Sequence, residues 1–219
     1  MADGDDVTPT GDRTARPAAP TAAVIVAHPD PGSFSHELAR RAAAGLRASG
    51  ATVRVVDLHA EGFRAAMSPA EREAYHGPEP VLDPLVADHA ALVTGVDTLV
   101  VVYPTWWSGL PAVLKGWLER VLVPGVGFRF DERTGRVRPG LANVRRIVGV
   151  STYGSPRWYV ALVNDNGRRT LHRALRMSCG WRTSTTWLGL RAIDTSTDLE
   201  RREFAARVER TLADLGSRP

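Results

Sequence analysis

The chain has 219 residues, 43% of them hydrophobic, which suffices for one α/β domain with a sizeable core and would be cramped for two. Its formal net charge is +4, but the basic residues are nearly all arginine, with Lys115 the sole lysine, and they lie among acids along the helices rather than in a stripe or tail, which argues against nucleic acid as a partner. The single cysteine, Cys179, excludes an intrachain disulfide and a cysteine metal cluster and suits a reducing cytoplasm. His59, His76 and His89 lack companions at ligand spacing, so no metal site is expected, and no apolar run reaches the roughly 18 residues of a membrane span.

Residues Met1 to Pro20 are rich in Pro, Asp, Thr and Arg, with hardly a large apolar side chain. They are expected to form a disordered tail, with neither an apolar leader nor an amphipathic basic pattern, so that the domain occupies 21–219 and the protein is cytoplasmic. Strands are expected near 22–27, 52–57, 98–103, 145–151 and 181–190, and helices near 35–49, 84–95, 111–122, 166–177 and 198–215. Strands alternating with helices predict a parallel sheet.

The first strand runs into His28-Pro-Asp-Pro-Gly-Ser-Phe-Ser35 and then a helical pattern, giving a strand, a phosphate-sized loop and a helix. A helix amino terminus offers unpaired N–H groups and partial positive charge, to which Ser33 and Ser35 add hydroxyls. Hydrogen bonds to a charged acceptor contribute roughly 1.5–3 kcal/mol each, so three or four hold a phosphate without lysine or arginine. Ser33 also reads simply as an N-cap, and the two roles are compatible. There is no G-x-G-x-x-G and no G-x-x-x-x-G-K-[ST], so neither a dinucleotide fingerprint nor a nucleoside triphosphatase loop is present.

Further along, Phe63 to Pro80 reads as a mobile excursion with a short helix. The continuous apolar run Thr98 to Tyr103 is a strand covered on both faces, and Pro111 is placed to open a helix. Between them Trp106 and Trp107 stand at the carboxyl end of the strand, the edge where open α/β sheets bind ligands, and suit a flat aromatic ligand. Alone, the pair would read as core aromatics. Val126 to Arg138 reads as a hairpin turning at Asp131 to Gly135.

Taken together, Ala27-His28-Pro29 with Ser33-Phe34-Ser35, Val56-Asp57-Leu58, Pro104-x-x-Trp107-x-Gly109-x-Pro111-Ala112-x-Leu114-Lys115-Gly116-Trp117 and Ser151-Thr152-Tyr153-Gly154 give a chain that resembles the NAD(P)H:quinone oxidoreductases of the DT-diaphorase type. The resemblance implies a flavodoxin-like three-layer α/β sandwich with a five-stranded parallel sheet of order 2-1-3-4-5. It also implies a homodimer that binds FAD, with FMN possible, and takes NADPH or NADH as hydride donor. The implied activity is two-electron reduction of quinones or similar electron-poor aromatics by a ping-pong mechanism. His28, Ser33, Phe34 and Ser35 would then hold the flavin phosphates. Pro104, Thr105, Trp106, Trp107 and Ser108 would wall the ring, Ser151, Thr152, Tyr153 and Gly154 would line its polar edge, and Tyr159 would be the catalytic tyrosine. Phe128 and Phe130 would help wall the substrate pocket of the partner subunit, or belong to a plain surface hairpin.

Two positions depart from the family pattern. Asp165 stands where relatives carry a histidine, leaving His172 or water as substitutes, and Tyr153 replaces a frequent glycine with a side chain able to cover the flavin or narrow the slot. An electron-carrying flavodoxin and a non-enzymatic flavin-binding regulatory subunit of a transport protein are the alternative readings.

Overall fold

The computed structural model describes residues 21–216, so the expected tail over 1–20 lies outside the described residues. The chain runs through β1 (Thr21–Val26), α1 (Phe34–Ala48), β2 (Thr52–Asp57), α2 (Pro69–Ala74), α3 (Pro84–Gly95), β3 (Thr98–Thr105), α4 (Ala112–Val121), β4 (Phe128–Phe130), β5 (Val137–Pro139) and β6 (Arg146–Tyr153). It continues through α5 (Arg157–Leu162), α6 (Asn166–Arg169), a π-helical stretch (Thr170–Leu175), α7 (Arg176–Cys179), β7 (Ser184–Leu190) and α8 (Asp198–Gly216). Five strands form one parallel sheet in the order β2-β1-β3-β6-β7. Counted within the sheet, this is the expected 2-1-3-4-5. The expected hairpin is the separate antiparallel pair β4–β5.

Strand alternation divides the core into two layers. From β1, Ala22, Val24 and Val26 face one side while Ala23, Ile25 and Ala27 face the other; β3 sends Val100 and Val102 one way and Leu99, Val101 and Tyr103 the other. The first side is covered by α1 and α8, which cross so closely that a Cβ on Gly45 would lie 2.2 Å from the carbonyl of Glu209. α3, α4 and the helical segment from Asn166 to Cys179 supply Val93, Leu114, Trp117 and Leu171 to the second side. β1, β3 and β6 are buried at nearly every position and mostly apolar, as cover on both faces demands, with Ser151 and Thr152 the polar residues at the buried end of β6.

The excursion over 63–80 is clamped rather than loose. Ser68 and Glu71 form a capping box that opens α2, and the Glu71 carboxylate accepts from Nε and Nη2 of Arg120 at 2.8 and 2.5 Å. Arg120 is 2% exposed, donates also to Asp83 and to the carbonyl of Arg64, and stacks its guanidinium over Phe63. A Cβ on Gly116 would meet the carbonyl oxygen of Ala65 at 2.1 Å, so α4 lies directly on this segment. Removing Glu71 leaves Arg120 its Asp83 partner but leaves the buried Nε donor unmade, so Glu71→Ala is expected to lower unfolding free energy by about 2 kcal/mol in urea titrations. Glu119→Ala, which removes only the exposed pair with Lys115, is expected to change it by less than about 0.5 kcal/mol; equal losses would show that the clamp carries no special weight.

Candidate functional site

The carboxyl ends of β1, β3 and β6 lie side by side, with Tyr103 opposite Ser151, Pro104 opposite Thr152 and Thr105 opposite Tyr153. Three loops consequently leave the same edge of the sheet. The first covers 27–33 and delivers the chain to α1. Ser33 caps that helix, accepting from the amide of His36, while Asp30 folds the turn by accepting from the amide of Gly32. His36 and Glu37 turn their amides back to Ser33, which leaves the amides of Phe34 and Ser35 as the first-turn donors open to a ligand. Phe34 packs its ring on the α1/α8 layer and the Ser35 side chain is buried, so both residues present backbone rather than side chain.

An element not apparent in the sequence lies behind this cradle. The Ser33 hydroxyl is 2.9 Å from Nδ1 of His36, whose Nε2 is 2.8 Å from the carboxylate of Asp57 at the end of β2. Asp57 also accepts from the amides of His59 and Ala60. Burial pushes its carboxyl up, but the His36 hydrogen bond and these amides hold it below the ordinary carboxylate range. The only signal in the sequence was the position of Asp57 at a strand end and of His36 one helical turn after Ser33.

The second loop is strained. Trp107 and Ser108 are consecutive left-handed residues (φ 47° and 59°), a conformation costing L-residues roughly 1–2 kcal/mol each. Their turn is closed by the Gly109 amide donating to the Trp106 carbonyl, and it leaves Trp107 fully exposed. Trp106 leans on His28 (5.9 Å between centroids), which in turn meets His36 edge-on at 6.3 Å. His28 therefore joins the first loop to the second. Its Nδ1 accepts from the Asp30 amide, and burial lowers its pKa.

The third loop begins inside β6. Ser151 is buried with its hydroxyl 2.8 Å from that of Thr105, and Thr152 is buried too, while Gly154 is exposed and approached by the Asp194 carboxylate. Tyr153 does not stand over an open slot: its ring is 2% exposed, lies beneath the Arg191 guanidinium, and donates its hydroxyl to Asp165 at 3.1 Å. Burial, then the neighbouring Asp165 charge, raises its pKa and keeps the phenol neutral. Asp165 itself sits in a left-handed pair with Asn164 (φ 42° and 76°), and the next amide, Asn166, donates to the Ser108 carbonyl.

The second and third loops, with the segment around Tyr159 to Asp165, line a pocket of about 210 Å³ that includes Thr105, Trp107, Ser108 and Gly154, while no residue of the first loop lines it. Pro104 is buried beneath it, and Tyr159 projects at its rim against Trp158. Asp165, which stands at the position of the family histidine, lies on this pocket, whereas His172 lines the neighbouring cavities instead. All five non-glycine residues with positive φ among the described residues, Ala192 being the fifth, lie in the loops around it, where stored strain is a mark of function. A flavin fits this donor set: unpaired amides and a serine for its phosphate, exposed indole for its ring, and a polar edge. No group of three or more metal-ligating side chains occurs among the described residues, and none of their helices is long and apolar enough to cross a membrane.

The family described as Flavodoxin-like fold matches residues 21–211. The chain is 28% identical over 153 residues to NAD(P)H dehydrogenase (quinone) 1 of Rattus norvegicus, covering 63% of this chain and 55% of that one. It is 29% identical over 164 residues to ribosyldihydronicotinamide dehydrogenase (quinone) of Homo sapiens, covering 66% and 69%. The chain thus spans about half the length of several curated relatives it matches. Among solved structures, the NAD(P)H:quinone oxidoreductase from Methanothermobacter marburgensis aligns with a TM-score of 0.75 at 26% identity, over 90% of this chain and 100% of that one.

The Asp57 contact yields a pH prediction. Its folded pKa lies below the unfolded value of about 3.9, so the stability it contributes is present above that value and is lost as pH falls through the folded pKa. Urea midpoints of the parent and Asp57→Asn should differ most at about pH 6 and converge towards about pH 3; a gap independent of pH would remove the carboxylate charge from the account.

Proposed function

Because this chain belongs to the flavodoxin-like fold family, we propose that it is an NAD(P)H-dependent flavin oxidoreductase that reduces quinones or similar electron-poor aromatics by two electrons. The observation that carries this reading is the convergence, on one sheet edge, of an anion cradle, a strained loop holding Trp107 in the open, and a polar edge where buried Tyr153 donates to Asp165. Bound flavin supplies the hydride chemistry that none of these side chains possesses.

The chain's own part is to bind, orient and exclude water. Ser33 and the amides of Phe34 and Ser35 hold the phosphate, and Asp57 fixes His36 so that His36 in turn fixes the Ser33 hydroxyl. The same groups serve the monophosphate of FMN and the pyrophosphate of FAD, and FAD is the preferred reading. Trp106 and His28 close one flank of the ring site. The Trp107–Ser108 turn and the backbone of Thr152, Tyr153 and Gly154 present oriented dipoles to the ring edge, where charge develops on reduction, and such groups need no reorganisation to stabilise it. Tyr159 lines the pocket and carries an exchangeable proton at its phenolic oxygen.

One open pocket receives donor and acceptor in turn, which gives ping-pong kinetics. Exposed Trp107, Phe130, Trp158 and Trp181 support a homodimer, in which the hairpin carrying Phe128 and Phe130 reaches the partner's pocket. A reducing cytoplasm suits the lone Cys179, which is buried with its thiol pushed up to about 12.

Purified protein should be yellow, release FAD or FMN on heating as identified by mass, and be bleached by NADPH without oxygen; a protein that stays colourless after soaking with either flavin sinks the proposal. With menadione as acceptor, Tyr159→Phe should lower turnover about 100-fold while flavin content is unchanged. Unaltered turnover would take Tyr159 out of the chemistry.

A further inference from the structure

The arginines that are dispersed along the chain are gathered by the fold. Beside the ring pocket, and sharing Val160 and Asp165 with it, lies a cavity of about 660 Å³ between α5, the helical segment of 166–179 and the edge strand β7. Arg157, Arg168, Arg169, Arg173, Arg176 and Arg191 line it, against the single carboxylate of Asp165. Among the described residues none of these six arginines forms a salt bridge, whereas Arg41, Arg54 and Arg120 each have carboxylate partners. Nε of Arg176 and Nε of Arg191 are buried without a hydrogen-bond partner. The π-helical widening at Thr170–Leu175 places Arg173 and His172 on the same wall.

So many like charges around one concavity repel one another, and buried guanidinium donors left unmade are costly, so the arrangement is stabilised by a polyanion. Guanidinium groups match phosphate oxygens in fork geometry. A second cavity of about 670 Å³ shares His172, Arg173 and Arg176 with it and is walled mainly by apolar and aromatic groups, including Phe128, Met177 and Trp181, with Arg138 and Ser178 also on its lining. A phosphate site between a ring pocket on one side and an aromatic surface on the other describes a nucleotide with an additional phosphate, not a free ion.

We propose that the arginine cavity receives the 2′-phosphate end of NADPH, with the adenine reaching towards Trp181, and that the protein therefore uses NADPH in preference to NADH. This rests on the reading of the neighbouring pocket as the place where a nicotinamide dinucleotide acts. Arg168 and Arg173 are exposed, so they can be replaced without disturbing the core.

The test is calorimetric titration of the full chain with adenosine 2′,5′-bisphosphate, with 5′-AMP and inorganic phosphate as comparisons, for the parent and for Arg168→Gln/Arg173→Gln. The bisphosphate should bind at least about tenfold more tightly than either comparison, and the double variant should lose about tenfold for the bisphosphate alone. In turnover, the same variant should lose about tenfold in kcat/KM for NADPH with NADH within about twofold. Equal binding of bisphosphate and AMP, phosphate binding as tightly as the bisphosphate, an unaffected variant, or equal losses with NADPH and NADH would each overturn the assignment. If the protein holds no flavin and oxidises neither dinucleotide, yet binds the bisphosphate and loses it in the variant, the oxidoreductase reading and the NADPH preference fail, and only the cavity as the site of the 2′-phosphate stands.

Discussion

The parallel, in-register pairing of β1, β3 and β6 governs the rest of the molecule. Strands covered on both faces accept almost nothing but apolar side chains, so polar chemistry is driven to their ends. Register then decides which ends meet. Thr105 lies opposite Tyr153, and the hydroxyls of Thr105 and Ser151 bond across the two strands, so the tryptophan loop and the β6 loop leave the sheet from a common anchor. A slip of one residue would turn Tyr103 and Tyr153 to the other layer and separate those loops.

Onto that rigid edge the chain places segments that no isolated peptide would hold. Trp107–Ser108 and Asn164–Asp165 are both left-handed pairs without glycine, and one hydrogen bond, from the Asn166 amide to the Ser108 carbonyl, links the two turns. The strain is sustained by packing beneath: Pro104 buried, Tyr103 in the core, and Gly167 so close to Tyr103 that a Cβ there would meet its hydroxyl at 2.7 Å. Backbone held in this way keeps its amides and the exposed Trp107 indole in one fixed arrangement.

Charge follows the same logic at longer range. The arginines that pair with carboxylates tie segments together, as Arg120 does for the 63–80 excursion, while the six that line the concavity beside β7 have no carboxylate partner among the described residues. Net charge alone does not separate the two sets, since a paired and an unpaired guanidinium contribute equally to it.

Much of the architecture was legible in the residues. Continuous β-branched runs, Ser33 ahead of an amphipathic pattern, Pro111 at a helix start and Asp131 to Gly135 at a turn are local signals, and each element they predicted is present within a few residues. The cradle at Ser33 and the exposure of a loop at Trp107 were legible for the same reason, because a strand end and a helix cap are written in adjacent positions. The His36–Asp57 support, the burial of Tyr153 against Asp165 and Arg191, the anchoring of 63–80 by Arg120 and the gathering of arginines beside β7 were not. Each joins residues from different elements, and their proximity follows from strand order and helix packing. By itself, then, the sequence determined which segments are strands and helices and which loops join them, since these depend on near neighbours along the chain. Which side chains are spent on one another, and which remain for a ligand, was decided only when tertiary contacts brought distant charges and hydroxyls within hydrogen-bonding reach.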